Sequence, residues 1–296
     1  MSLSAARSRV LVALTVLLAL LAGCASSTVD GQAQPPGGGS GTDPSTPWEP
    51  PAGPPTGPAA GATVVARWTE YPGFFCQVDR TLVATTTVYS DGIVLLSDSI
   101  GASCTPPPRF TAGYTDLAGL RTLLGGYFDG ADAGVDMDHL PVADLGWSEL
   151  SYVDQQGGEH VASAYGLFID DTKLDDVPAD VRRARAALRA VSDGLDGMAG
   201  PDTAEWTPDT VVVVNHDGPD YGDADIEEWP WPASAELSQL LDSEDGCLAI
   251  TGDDAATLWT AAAIRETSVS SWTIDGSIRY GLGIGAVLPG STPCAG

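Results

Sequence analysis

The chain reads as an α+β protein: two small domains of antiparallel sheet with packed helices, carried behind a disordered tether. Three observations predict this. β-rich runs meet across turn signals, apolar stripes at helical spacing stand between the hairpins, and a Pro- and Gly-rich stretch that cannot bury a core precedes them. The 296 residues suffice for one large core or two smaller ones.

At the amino end, Arg7 and Arg9 precede an apolar run from Val10 to Leu21, and the small residues Ala22 and Gly23 stand before Cys24. This is the pattern of a secretory leader with its processing site. The run is shorter than the roughly 17 to 25 apolar residues of a spanning helix, and Ser26, Ser27 and Asp30 follow at once. Residues 1–23 are therefore expected to be a signal peptide. Leu21-Ala22-Gly23-Cys24 resembles the lipobox of bacterial lipoprotein precursors. That resemblance implies a diacylglyceryl thioether on the Cys24 sulfur, cleavage before Cys24 and an anchor in the outer face of the cell membrane; two acyl chains suffice for stable anchoring where one does not.

From Ala25 to Gly61 the chain is mostly Gly, Pro, Ser, Thr and Ala, as in Pro35-Pro36-Gly37-Gly38-Gly39 and Pro50-Pro51-Ala52-Gly53-Pro54-Pro55. Residues 24–61 are expected to form the tether. At about 3.1 Å per residue in a polyproline-like state, it would reach up to about 100 Å.

A first α+β domain is expected over 62–198. Thr63 to Trp68 is β-rich, and Leu82 to Tyr89 and Ile93 to Leu96 flank Ser90-Asp91-Gly92, a strong hairpin signal. Thr115 or Asp116 can cap a helix whose Leu117, Leu120, Leu124 and Tyr127 share one face. Leu150 to Val153 and His160 to Tyr165 flank Gln155-Gln156-Gly157-Gly158 as a second hairpin. After Pro178, the residues Val181, Ala184, Leu188, Val191 and Leu195 make the apolar stripe of the clearest helix. Arg182, Arg183, Arg185 and Arg189 read as its opposite, basic face, paired with neighbouring carboxylates.

Ala199-Gly200-Pro201-Asp202 opens an expected linker over 199–209, and 210–296 is the expected second domain. It begins with a strand at Val211 to Val214 and continues through an irregular acidic stretch. A strand from Cys247 through Ile250, a helix from about Asp254 to Arg265, and a hairpin turning at Asp275-Gly276 between Trp272 and Tyr280 complete it.

The formal charge of −27 becomes two units more negative once the leader with Arg7 and Arg9 is removed. Nucleic acid is not an expected partner, because phosphate binding by counterion release needs clustered cations, whereas Lys173 is the one lysine and the arginines are scattered. The acidity is expected to keep an exposed, monomeric envelope protein solvated. With Cys24 lipidated, Cys76, Cys104, Cys247 and Cys294 remain, an even number that favours disulfides in an exported chain. Three connectivities are possible; pairing Cys76 with Cys104 and Cys247 with Cys294 keeps each bridge inside one expected domain.

No catalytic residue, metal or cofactor is expected. The run Asp217, Asp220, Asp223, Asp225, Glu227 and Glu228 fails the calcium-loop test, since counting from Asp223 places Glu228 where glycine is needed and Ser234 where glutamate is. Asp129, Asp132, Asp136, Asp138 and His139 fail it too and read as a loop. His139, His160 and His216 show no paired metal-ligand spacing. Gly37-Gly38-Gly39-Ser40-Gly41 misses the Gly-x-Ser-x-Gly spacing of a nucleophile elbow, and no phosphate loop or dinucleotide fingerprint is present. Trp229-Pro230-Trp231-Pro232 is the most distinctive local motif. Tryptophans beside rigid prolines pack a domain junction or, when exposed, stack on a sugar or anchor a protein partner, so Trp229 and Trp231 are candidate ligand contacts.

Tyr89-Ser90-Asp91-Gly92, the strand ending Ala164-Tyr165-Gly166-Leu167, the Arg-rich helix through Leu188, and the terminal block of Cys247, Trp272, Gly276, Tyr280, Leu288-Pro289 and Cys294 together resemble a family of secreted lipoproteins of high-GC Gram-positive bacteria. The resemblance supports pairing of Cys247 with Cys294 and brings no catalytic residue. The resulting expectation is a lipid-anchored envelope protein that binds or scaffolds a protein or glycan partner without catalysis. A hydrolase of wall glycan or peptide and a glycan or small-solute receptor are the alternatives.

Overall fold

A computed structural model describes residues 48–71, 84–97, 109–140, 142, 145–170, 176–215, 227–228, 246–264, 270–274 and 278–294. The α+β class stands. A seven-stranded antiparallel sheet contains β1 (Val64–Tyr71), β2 (Ala84–Tyr89), β3 (Ile93–Ser97), β4 (Phe110–Tyr114), β5 (Trp147–Val153), β6 (Glu159–Tyr165) and β7 (Ala204–Trp206), in the order β6-β5-β1-β2-β3-β4-β7. Helix α1 (Leu117–Phe128) lies between β4 and β5 in the chain, and α2 (Ala179–Asp196) between β6 and β7. The second sheet holds β8 (Thr210–Asn215), β9 (Glu227–Glu228), β10 (Cys247–Thr251), β11 (Ser270–Ile274) and β12 (Ile278–Ala286), in the order β10-β8-β12-β11-β9, and α3 (Asp253–Ile264) follows β10. Among the described residues, its one parallel pairing is β11 with β9. Among the described residues no helix is long and apolar enough to cross a membrane.

Local chemistry accounts for the elements. In the β2–β3 turn Gly92 takes φ +82°, a conformation open to glycine, and Asp91 Oδ1 accepts from Ile93 N at 3.1 Å. Asp116 caps α1 by accepting from Ala118 N at 2.9 Å. Pro178 precedes α2, where its missing N–H costs nothing.

The uninterrupted run Ile93-Val94-Leu95-Leu96 has a tertiary explanation: the first sheet is covered on both faces. Val94 packs with Leu120, Leu124, Leu188 and Leu195 of the two helices. Ile93 and Leu95 face the other way, into a core shared with Val211, Val213, Ile284, Leu258 and Trp259 of the second sheet and α3. Burying each large side chain contributes about 1.5 to 3 kcal/mol, so the second core ties together segments that the sequence divides between two domains.

The boundaries change accordingly. Trp48–Gly296 is one compact unit. The expected linker at 199–209 carries β7, which extends the first sheet beside β4, and Trp206 meets Phe110 edge to face at 5.6 Å. Ordered chain also begins before Ala62. Residues 48–61, expected as tether, include the buried Pro55; Gly57 at φ +107° lies so close to Trp206 that a Cβ would stand 2.7 Å from its Nε1, and Ala59 N donates to Asp91 Oδ2 at 2.7 Å. A Pro-rich segment has few backbone donors to satisfy, so one carboxylate and one indole face hold it against the sheet.

The Arg-rich face of α2 is only partly a face. Arg183 pairs with Asp132 at 2.8 Å and Arg182 is exposed, as expected. Arg185, by contrast, is fully buried and donates to the carbonyls of Tyr165, Gly166 and Leu167 at 2.9, 2.5 and 3.2 Å, while Arg189 donates to Leu167 O at 2.7 Å. The turn after β6 leaves carbonyls that no strand can pair, and a planar guanidinium satisfies several at once.

Candidate functional site

Two local structures meet to form a cleft. One is a face of α1 with its C-cap, bringing Arg121, Thr122, Phe128 and Asp129. The other is the β5–β6 hairpin, whose turn is built by Asp154: its Oδ1 accepts from Gln156 N at 2.8 Å and Gly158 N at 2.7 Å, while Gly157 takes φ +81°. The cleft is about 490 Å³, and Tyr152, Gln155, Gln156 and His160 complete its polar and aromatic lining.

Its floor is aromatic. Phe128 and Tyr152 stack with centroids 6.0 Å apart and planes 12° apart, Tyr152 and His160 lie 5.8 Å apart at 25°, and Phe128 and His160 5.1 Å apart at 35°. Tyr152 is buried, and the His160 side chain is 38 % exposed. His160 Nε2 stands 3.0 Å from Asp154 Oδ2. The hydrogen bond from His160, followed by that from Gly158 N–H, holds the Asp154 carboxyl below the usual carboxylate range. An ionised carboxylate only accepts, so His160 donates from Nε2. At the other wall, Arg121 Nε is buried without a hydrogen-bond partner.

Because the folded pKa of Asp154 lies below its unfolded value, the stabilisation is complete above about pH 4 and is lost as pH falls through the folded value. The protection of the Gln156 and Gly158 amides, measured relative to their intrinsic exchange rates at each pH, is therefore expected to fall on acidification below that range. Asp154→Ala, which removes the acceptor, should show low protection at every pH; an unchanged protection profile would contradict the role assigned to this carboxylate.

The residues singled out in the sequence are distributed elsewhere. Cys247 and Cys294 are bridged. Cys24, Cys76, Cys104, Trp229, Trp231 and His216 lie outside the described residues, as does the run from Asp217 to Asp225. Glu227 and Glu228, grouped with that run, form β9. In the other acidic segment, Asp138 Oδ1 accepts from Ser163 Oγ at 3.1 Å, Asp132 takes Arg183, and exposed His139 stands 3.6 Å from Asp136. These acids serve local structure, and among the described residues no group of three or more His, Cys, Asp or Glu side chains is arranged to hold a metal ion.

Sequence reading missed the cleft. His160 was visible as a strand residue, and Asp154 stands just before the turn, but nothing in their spacing points to Arg121 or Phe128 on a helix more than twenty residues earlier. No protein-family model matches the chain, and neither does any curated protein or solved structure.

Proposed function

We propose that the protein is exported, anchored to the outer face of the cell membrane through lipid on Cys24, and binds an envelope partner without transforming it, using the cleft between α1 and the β5–β6 hairpin. The observation that carries the binding role is the division of labour in the cleft. Asp154 uses its carboxylate oxygens on the turn and on His160, so this pair shapes the wall, while the aromatic rings and the lining Arg121 guanidinium offer stacking and hydrogen bonding. The lipobox and the resemblance to secreted lipoproteins support the address. Residues 48–61 pack against the sheet and so do not add to the reach of the proposed tether.

Both halves are testable in cells that process lipoproteins. The Cys24→Ala precursor should accumulate unprocessed and take up no fatty-acid label; normal processing and retention would overturn the anchor. A photocrosslinking residue at exposed Gln156 should trap an envelope component, whereas one at exposed Thr260 on α3, on the other side of the first sheet, should not. Equal adducts at both positions, or none at Gln156, would overturn the cleft as the binding site.

A further inference from the structure

Resting on that binding reading, we infer that the cleft takes a neutral sugar ring, one unit of a glycan. Its polar groups make an unusual demand. The Arg121 guanidinium only donates, Asp129 only accepts, and Gln155 and Gln156 do both. A carboxylate or phosphate would satisfy Arg121 but face Asp129 and Asp154 on a protein of charge −27, and an ammonium ion would satisfy the acids but face Arg121. Hydroxyls donate and accept together, so a neutral polyol satisfies all of them without unpaired charge.

The floor selects the ring. The half-buried rings of Phe128 and His160, with centroids 5.1 Å apart and both packed on the buried Tyr152, offer ring faces on which the C–H face of a pyranose can stack. The volume of about 490 Å³ lies within the roughly 300 to 1,000 Å³ of small-molecule sites. A single sugar ring makes both contacts at once, stacking through its C–H face and hydrogen-bonding through the hydroxyls around its edge.

The test is saturation-transfer NMR on the whole lipidated protein in a detergent without a sugar headgroup, with cellobiose and N,N'-diacetylchitobiose as neutral probes and glucuronate and choline as charged ones. Transfer is expected to the ring protons of at least one neutral probe and to neither charged one. Phe128→Ala and Arg121→Gln should weaken it at least about fivefold, the order expected for one stacked ring or one charge-assisted hydrogen bond. Phe128 touches buried neighbours, so Gln156→Ala, an exposed change that leaves the core alone, serves as the second variant and should weaken transfer about threefold with an unchanged circular dichroism spectrum. No transfer from either neutral probe, preference for a charged probe, or indifference to both Arg121→Gln and Gln156→Ala would overturn the sugar assignment. A protein adduct at Gln156 accompanied by such a result would keep the binding cleft and remove only its ligand class.

Discussion

Arg185→Met is expected to destabilise the folded unit by about 3 kcal/mol or more, the largest effect of any single substitution on α2. The side chain is fully buried, and its guanidinium serves the carbonyls of Tyr165, Gly166 and Leu167. Methionine fills much of the same space but donates nothing. Each buried acceptor left unmet costs about 1 to 3 kcal/mol, and hydrogen bonds from a charged donor contribute about 1.5 to 3 kcal/mol each. Relaxation cannot easily move the turn, because Gly166 sits at φ +57° with Leu145 Cδ1 filling the space where a Cβ would go. Arg185→Lys should recover only part of the loss, since an ammonium group lacks the planar fork that spans successive carbonyls. Urea denaturation followed by circular dichroism measures the difference. A loss below about 0.5 kcal/mol, the scale of an ordinary surface change, would show that Arg185 acts as part of the exposed basic face after all.

Removing the Cys247–Cys294 bridge is the second large effect. The two cysteines are separated by 47 residues, and closing a loop of that length removes unfolded-state entropy worth about 4 kcal/mol, with about 2 to 4 kcal/mol typical of measured cases. The bridge ties β10 to the chain end beyond β12, and both strands flank β8 in the second sheet. Cys247→Ser with Cys294→Ser should lower stability by that amount and accelerate amide exchange in β8, β10 and β12 more than in β1 or β5. The paired substitution isolates this bridge from any contribution of Cys76 and Cys104. Equal stability of the double variant and the parent would exclude a structural role for the bridge. Alkylation of the unfolded, unreduced protein supplies a chemical check: Cys247 and Cys294 should stay unlabelled.

The elements that were legible in the sequence are those whose cause is local. Asp91-Gly92 and the residues from Asp154 to Gly158 build their turns from side-chain oxygens and glycine conformations a few residues apart. The helix after Pro178 repeats its apolar residues at the period of its own hydrogen bonds, and Leu188 and Leu195 are buried as that repeat requires. The errors share one cause as well. Pro- and Gly-rich composition at 48–61 describes a chain unable to make a core, yet it docks where Trp206 and Asp91 receive it. Ala199-Gly200-Pro201-Asp202 has linker chemistry, yet Ala204–Trp206 finds a free strand edge at β4. Arg185 belongs to a run of arginines, and its depth depends on where the turn after β6 leaves its carbonyls.

By itself, then, the sequence determined the α+β class, the hairpins, the two long helices of the first sheet, and the acidic character of the chain. Each follows from hydrogen bonds and hydrophobic periods that act within a dozen residues. Only the tertiary structure decided that one core joins Tyr89, Ile93, Leu95 and Phe110 to Trp206, Val211, Leu258 and Ile284, that Arg185 lies inside, and that Arg121, Phe128, Tyr152 and His160 line a common cleft. Those outcomes depend on which surfaces remain unsatisfied after the local elements form. Burial and hydrogen-bond pairing between distant segments settle them, and no spacing along the chain encodes the result.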